Sequence, residues 1–340
     1  MDVEEYSWQG AKFDELSKLI DEAQTIAVCA HTSPDGDALG SNLGLSSIIK
    51  SRWPEKEVVS LLADATPIPR IYRFLPFVED LVYAKDYTDD PDLFICVDLP
   101  VVERMADGAE VQKRAAHTAI IDHHPGPENR DFADVVIERT DEAAAGVLVA
   151  ELALYWQITL TPEIAQLLFC AIVTDTGRFQ YQNADGEAFE IASLLVDAGA
   201  SPSNIALNVY QSFRLEYLHL QSAVMGRITT FANGKIAYSY ATLADFERTG
   251  AELDETDGLI DIVRTVQGSE VALFLKESAD GSVRGNLRSK GEHDISSIAR
   301  EMGGGGHKAA AGFTAEGGID DVFNACLPKL IDLFEDGDID

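Results

Sequence analysis

At 340 residues the chain has room for two domains, and its 46% hydrophobic content, with acids spread along the whole length, excludes a disordered polyelectrolyte. Its 58 acidic residues against 26 basic ones leave a formal charge of −32, built from 32 aspartates and 26 glutamates against 15 arginines and 11 lysines. So much self-repulsion excludes an ordinary mesophilic surface but is tolerable in molar salt, where the Debye length shrinks to about 3 Å; the expectation is a halophilic organism, an archaeon.

An amphipathic pattern predicts a helix over 13–23. Thr25–Ala30 follows as a first strand and runs into His31-Thr-Ser-Pro-Asp35-Gly-Asp37, after which a helix covers about 38–50 and stops before Pro54. A second strand is expected at 57–63, then a proline-rich connection at 66–76. The near-continuous apolar runs at 93–98 and 117–122 read as strands of a sheet covered on both faces. Helices are expected at 142–156, 162–173 and 186–198, with a break at Gly199 and Pro202. Residues 201–226 read as a helical linker. Beyond it, Asn233-Gly234 and Asp280-Gly281 each sit between alternating residues and predict two hairpins. A helix at 294–302 leads into Gly303-Gly-Gly-Gly306, and a last amphipathic helix spans 319–335. The fold class is therefore α/β, with a parallel-sheet domain over 1–200, helices on both faces, and a smaller mixed α/β domain over 227–340. The active site is expected in the cleft between the domains.

Cys29, Cys96 and Cys170 lie inside apolar runs and Cys326 on a helical pattern, without any Cys-x-x-Cys pair. They read as small buried hydrophobes in a reducing compartment. The acidic start, Met1-Asp-Val-Glu-Glu, lacks a signal-peptide n-region, and no apolar stretch reaches membrane-spanning length, so the expected location is cytoplasmic.

Four apolar runs end on ligands for hard divalent metals: the first on the His31 to Asp37 loop, the second on Asp98, the third on Asp122-His123-His124, and Leu167–Val173 through Thr174 on Asp175. Parallel strands deliver ligands at their carboxyl ends. A mixed carboxylate and imidazole set suits two Mn²⁺-like ions better than one Zn²⁺. The spacing lets two side chains of the first loop face one ion while Asp37 turns to a second. Asp98 can bridge both ions, and His123 and Asp175 can complete the second site. Two ions about 3.5–4 Å apart hold a hydroxide between them and neutralise a pentacoordinate phosphorus. Singly, an Asp-Gly-Asp is an ordinary turn or helix cap and a His-His pair is ordinarily structural; recurrence at four run ends carries the signal.

These residues, His31-x3-Asp35-x-Asp37, Asp98, Asp122-His123-His124 and Asp175, resemble the four motifs of DHH-family phosphoesterases over nearly the whole chain. The resemblance implies that His31, Asp35 and Asp98 hold one Mn²⁺ and that Asp37, Asp98, His123 and Asp175 hold the other, with Mg²⁺ or Co²⁺ as substitutes. It further implies that His124 contacts the scissile phosphate, that Asp122 orients the histidines, and that a homodimer is the assembly. Arg178, three residues past Asp175, is a phosphate-contact candidate.

The run Gly303-Gly-Gly-Gly-His307-Lys-Ala-Ala-Ala-Gly312-Phe313 exceeds what a helix C-cap needs, and lets backbone N–H groups approach an anion. Gly304, Gly305, Gly306, His307 and Lys308, together with Arg284, Arg288 and Ser289 upstream, are the candidate substrate contacts, Arg being suited to bidentate phosphate recognition. The run is similar to the DHH-associated domain that grips nucleotides in this family. With 8% aromatics and no basic run, the chain lacks the platform a RecJ-like single-strand exonuclease needs. An inorganic pyrophosphatase ordinarily lacks Gly-Gly-Gly-His, and a non-catalytic nucleotide sensor would have lost ligands. The compact form resembles the nanoRNase (oligoribonuclease and pAp phosphatase) branch, which implies short RNA or 3′-phosphoadenosine 5′-phosphate as substrate. A cyclic di-AMP or pApA phosphodiesterase is the main alternative.

Overall fold

The computed structural model describes residues 10–334 apart from 100, 127–129, 257, 292 and 307. Two compact units meet at the Ser212/Phe213 boundary. In the first, the chain runs α1 (Gly10–Glu22), β1 (Thr25–Cys29), α2 (Gly36–Arg52), β2 (Glu57–Leu62), β3 (Val82–Tyr83), β4 (Leu93–Val97), α3 (Gly108–Arg114), β5 (His117–Asp122), β6 (Val135–Glu138), α4 (Ala145–Tyr155), α5 (Pro162–Asp175), α6 (Gly186–Asp197) and α7 (Pro202–Ile205). The six strands form one parallel sheet in the order β3-β2-β1-β4-β5-β6.

Side chains alternate across this sheet, and both faces are covered. Ile26, Val28, Leu93, Ile95, Val97, Ala119 and Ile121 join the core under α1, α2, α4, α5 and α6. Ala27, Cys29, Phe94, Cys96 and Ile120 join a smaller core with Met105 and Val111 on the other face. That double burial explains why these strands are apolar at every position. All four cysteines are free and buried, as expected, and burial pushes the Cys29 thiol up to about 12.

The strand order reverses between β1 and β4: the chain winds outward one way through β2 and β3, then the other way through β5 and β6. The loops leaving β1 and β4 therefore diverge, opening a crevice at the carboxyl ends of the strands. Those ends carry His31 and Asp98.

The fourth apolar run lies in the helix expected at 162–173, so its ligand stands at a helix end where the other three runs present theirs at strand ends. Thr161 accepts from Ile164 N–H as the N-cap and Pro162 occupies the first turn, so Leu167–Val173 is the buried interior of α5. α5 packs closely on α2. A Cβ on Gly36 would lie 2.4 Å from Thr174 Oγ1, and one on Gly40 would lie 2.4 Å from the Leu167 carbonyl oxygen. This stripe of glycines brings the N-terminus of α2 against the C-terminus of α5, and with it Asp37 towards Asp175.

The second unit contains α8 (Leu215–Gly226), β7 (Thr229–Phe231), β8 (Ile236–Ala241), α9 (Leu243–Thr249), α10 (Leu259–Arg264), β9 (Val271–Glu277), β10 (Ser282–Ser289), α11 (Ser296–Glu301), β11 (Gly305–Gly306), β12 (Ala310–Glu316) and α12 (Ile319–Asp332). Its mixed sheet runs β11-β12-β10-β9-β8-β7, with β8 and β9 parallel and the other pairs antiparallel. Both expected hairpins form, around Asn233-Gly234 and Asp280-Gly281. The segment read as a helical linker divides: α7 ends the first unit, while Tyr217, Leu220 and Val224 of α8 pack into the core of the second with Leu259, Val263 and Phe274.

Candidate metal centre

Three carboxyl-terminal strand ends and two helix ends converge in the first unit. His31 leaves β1, Asp98 leaves β4 and Asp122-His123-His124 ends β5; Asp35 and Asp37 begin α2, and Asp175 ends α5. Asp98 has a left-handed backbone (φ 55°), and so does the Gly177-Arg178-Phe179 turn that follows Asp175 (φ 54°, 65° and 60°). Such conformations cost about 1–3 kcal/mol at non-glycine positions and persist where surrounding packing enforces them.

Asp98 is the hub. Its Oδ2 lies 3.4 Å from His31 Nε2, and its Oδ1 lies 3.4 Å from His123 Nε2 and 3.3 Å from His124 Nδ1. On one side, Asp35 Oδ2 is 3.8 Å from His31 Nε2. On the other, His123 Nε2 is 3.6 Å from Asp37 Oδ2 and 3.7 Å from Asp175 Oδ2. Ligand atoms of His31, Asp35 and Asp98 lie within 4.8 Å of one another, as do those of Asp37, His123 and Asp175.

Both histidines are oriented by backbone oxygens. His31 Nδ1 donates to the Thr32 carbonyl at 2.8 Å, and His123 Nδ1 to that of Glu142 at 3.1 Å. That bond directs each Nε2 toward the carboxylates, the tautomer metal ligation needs. His124 is set by Asp122, whose Oδ1 accepts from its backbone N–H at 3.2 Å and from Nδ1 at 2.9 Å. Asp122 is fully buried, with Arg130 Nη2 3.9 Å from its Oδ2 and 3.0 Å from Glu138.

The carboxylates also do helix work. Asp35 Oδ1 caps α2 by accepting from Asp37 and Ala38 N–H, both at 3.0 Å, and its other oxygen, Oδ2, is left facing His31. Asp37 accepts from Ala145 N–H at 2.7 Å and Gly146 N–H at 3.0 Å, capping α4 from outside. This is why α4 starts at Ala145 and not at the expected 142: residue 144 is an alanine with no side chain to serve as the cap.

The electrostatics fit divalent cations. Burial, then the Asp98 carboxylate, pushes Asp37 well above the usual carboxylate range; burial raises Asp175 to about 6 despite His123. Burial alone would lower both imidazoles, yet Asp98 leads the carboxylates that lift His31 to about 9 and His123 well above its ordinary value. Several carboxylates buried so close together repel one another, a repulsion that divalent cations would relieve. Asp98 Oδ1 is a buried oxygen that meets no donor in hydrogen-bonding geometry. The donor set, hard oxygens with imidazole, suits Mn²⁺, Co²⁺ or Mg²⁺ better than Zn²⁺.

Arg178 sits in the strained turn, its guanidinium 4.7 Å from the centre of the Tyr210 ring. In the second unit, Arg284 and Arg288 share one face of β10. Arg288 Nη1 donates to the Leu287 carbonyl at 3.0 Å, and its Nε is 3.9 Å from Asp261. Ser289 is buried and alternates to the opposite face. The glycine run forms β11, paired on Gly312 and Ala311. A Cβ on Gly304 would lie 2.0 Å from the Gly312 carbonyl oxygen and one on Gly306 2.6 Å from that of Ala310, so close strand packing demands both. Gly305 faces open space, and Lys308 is exposed. His307 lies outside the described residues.

Sequence reasoning missed the supporting groups: the Thr32 and Glu142 carbonyls, the α4 N–H groups and Arg130. Backbone groups carry no residue signature. One signal was nevertheless readable, since Ala143-Ala-Ala-Gly146 opens a helix without a capping residue and so requires an acceptor from elsewhere.

Comparison with known proteins bears on the family and the fold. Residues 25–172 match the DHH family, N-terminal domain, and residues 233–336 match the DHHA1 domain. The chain is 30% identical to the bifunctional oligoribonuclease and PAP phosphatase NrnA of Thermus thermophilus over 307 residues, 90% of this chain and 89% of that one. It is 29% identical to the protein of the same description from Bacillus subtilis over 308 residues, 88% and 91% of the two chains. The crystal structure of an exopolyphosphatase-related protein from Bacteroides fragilis superposes with a TM-score of 0.87 at 26% identity, covering 96% of this chain and 98% of that one.

Proposed function

Because the chain belongs to the DHH family, with a DHHA1 domain, and is a hydrolytic phosphoesterase, we propose that it removes mononucleotides from RNAs of two to five nucleotides and dephosphorylates 3′-phosphoadenosine 5′-phosphate, using two Mn²⁺ ions. One observation carries the metal reading: the two oxygens of Asp98 face two separate ligand groups, Oδ2 toward His31 and Oδ1 toward His123. In this reading His31, Asp35 and Asp98 hold one ion, and Asp37, Asp98, His123 and Asp175 hold the other. When bound, the ions lower the pKa of water and neutralise charge on phosphorus.

The protein's own groups do the rest. Asp122 fixes His124 by accepting at Nδ1, so the proposed contact to the scissile phosphate falls to Nε2. There it stabilises developing negative charge or assists the leaving oxygen. Arg178 would meet a phosphate from the turn after Asp175. Arg284 and Arg288, with Gly304, Gly305, Gly306, His307 and Lys308, would hold the nucleotide and its phosphates, while Ser289, buried on the other face of β10 with its Oγ bonded to Gly291, is left out of that set. The short substrate is supported by the relatives named oligoribonuclease and PAP phosphatase and by the small basic set of the second unit. No helix among the described residues is long and apolar enough to cross a membrane; the proposed setting is a salt-rich cytoplasm, with a homodimer as the assembly.

A substrate panel tests the assignment: two- to five-nucleotide RNAs, 3′-phosphoadenosine 5′-phosphate, pApA, cyclic di-AMP, pyrophosphate and long single-stranded DNA, each with Mn²⁺ in molar KCl. Turnover of the first two above the others is expected. Preference for cyclic di-AMP, pyrophosphate or the long strand would replace the assignment, and no turnover at all would remove it.

A further inference from the structure

The connection from β6 to α4 together with the first residues of that helix, 139–146, reaches all three ligands that only the second metal group contains, Asp37, His123 and Asp175. The Glu142 carbonyl accepts from His123 Nδ1, and Ala145 and Gly146 N–H donate to Asp37. The third ligand is reached through Asn183, whose Nδ2 donates to the Ala143 carbonyl at 3.0 Å and to that of Asp175 at 3.2 Å. The other group is supported elsewhere: His31 by Thr32, and Asp35 by the cap it makes on α2.

The segment has no regular secondary structure before Ala145, so something else must fix it. At its start the Arg139 backbone N–H donates to the Asp122 carbonyl at 3.2 Å. Its guanidinium lies among three glutamates, with Nη2 at 2.5 Å from Glu142, Nη1 at 3.0 Å from Glu151 of α4, and Nη2 also bonded to Glu187 of α6. The Glu142 and Glu151 side chains are fully buried. The three carboxylates come within 4.8 Å of one another, as ligands of a cation do, but here the planar fork of Arg139 is the cation. One guanidinium thus ties the loop, α4 and α6 into a single geometry.

We infer that Arg139, held by Glu142, Glu151 and Glu187, is a positioning residue for one metal ion of the pair: by fixing the shape of residues 139–146 it aims Asp37, His123 and Asp175 at a common point. The inference rests on the two-metal reading above. It separates the two sites, because the outer carboxylates act on one ligand group and leave the His31/Asp35 side to its own supports. Lysine cannot replace the arginine here, since a single ammonium cannot engage three carboxylates in the plane of a fork.

The test is Mn²⁺ titration of the metal-free full-length protein by calorimetry, with electron paramagnetic resonance of the loaded form. Wild-type protein should bind two Mn²⁺ and give the spectrum of a coupled pair. In Arg139→Lys, affinity at one site should fall about tenfold to a hundredfold, as for other groups that orient metal ligands. The second site should stay within about twofold of wild type, and at two equivalents of Mn²⁺ the coupled spectrum should give way to that of isolated ions. Glu187→Gln, a change at the half-exposed member of the cage, should shift the same site in the same direction by less, without loss of fold. Equal weakening of both sites, or two unchanged sites in both variants, overturns the role of Arg139 while leaving the two-metal reading intact. A wild-type protein that holds a single Mn²⁺ overturns that reading and the inference with it.

Discussion

Asp98 shows how much one carboxylate can be asked to do. It is buried, strained into a left-handed conformation, and shared by two imidazoles that hold it well below the usual carboxylate range despite its burial. Asn at this position keeps the shape but removes the charge that both ions would share, so Asp98→Asn should lower kcat by about 10³-fold, a loss of about 4 kcal/mol. Steady-state kinetics with saturating Mn²⁺ check this, and a variant within tenfold of wild type would remove Asp98 from the bridging position. Arg288 lies on a different link of the argument, binding and not chemistry. Arg288→Ala should raise KM several-fold with kcat nearly unchanged, the signature of lost uniform binding. The residues of the centre were legible because charged and imidazole side chains at the ends of apolar runs are rare without cause. Their orienting partners were not, because a carbonyl of Thr32 or Glu142 looks the same in sequence wherever it points.

At the level of elements, the caps and contacts decide where ligands stand. Asp37, a proposed metal ligand, is the external cap of α4, and the glycines of α2 allow the approach to α5. Gly40→Val would place its Cβ against the Leu167 carbonyl, an overpacking that should cost about 1–3 kcal/mol, measurable as a lower midpoint in guanidinium unfolding. In the second unit, Asp245 caps α9 through Thr242 and pairs with both Nη atoms of Arg227 and with Arg248. The Arg227 guanidinium, despite Asp245's burial, holds this carboxyl well below the usual range. A depressed folded-state pKa means that the stabilisation is fully present above the unfolded value near 4 and is lost as pH falls from there through the folded value. Unfolding midpoints between pH 6 and pH 2 should therefore fall more steeply for the wild type than for Asp245→Ala. That variant should already be weaker by roughly 2–4 kcal/mol at neutral pH; parallel curves would show that the pair contributes nothing. The apolar strands and the two Gly-bearing hairpins could be read from periodicity. β12 was not: no element is expected over Ala310–Glu316, and it is a strand because β10 offers a complete antiparallel edge. The helix over Leu167–Val173 was legible, since Thr161 and Pro162 mark its start, but its close packing on α2 was not.

For the whole molecule, a charge of −32 makes salt a variable of the fold. Raising KCl from 0.1 to 2 M should relieve a few kcal/mol of repulsion and lift Tm by roughly 10 °C, and a Tm independent of KCl would end the halophile reading. Metal loading should add to this, since Mn²⁺ at a hundred times its Kd stabilises the folded state by about 2.7 kcal/mol per site, reversed by chelation. Composition and apolar runs were enough to determine an α/β chain, their terminal ligands offered a candidate hard-metal centre, and the resemblance of those motifs to a family supplied the phosphoesterase reading, because burial on two faces and metal coordination each demand particular residue types at particular places. Only the tertiary structure decided that β1 and β4 are neighbours across the reversal of strand order, which brings His31 and Asp98 to 3.4 Å. It alone placed Arg139 among Glu142, Glu151 and Glu187, beside the segment that meets Asp37 and His123. Those facts depend on which strands pair and which helices touch, contacts between residues far apart in the chain that no local pattern encodes.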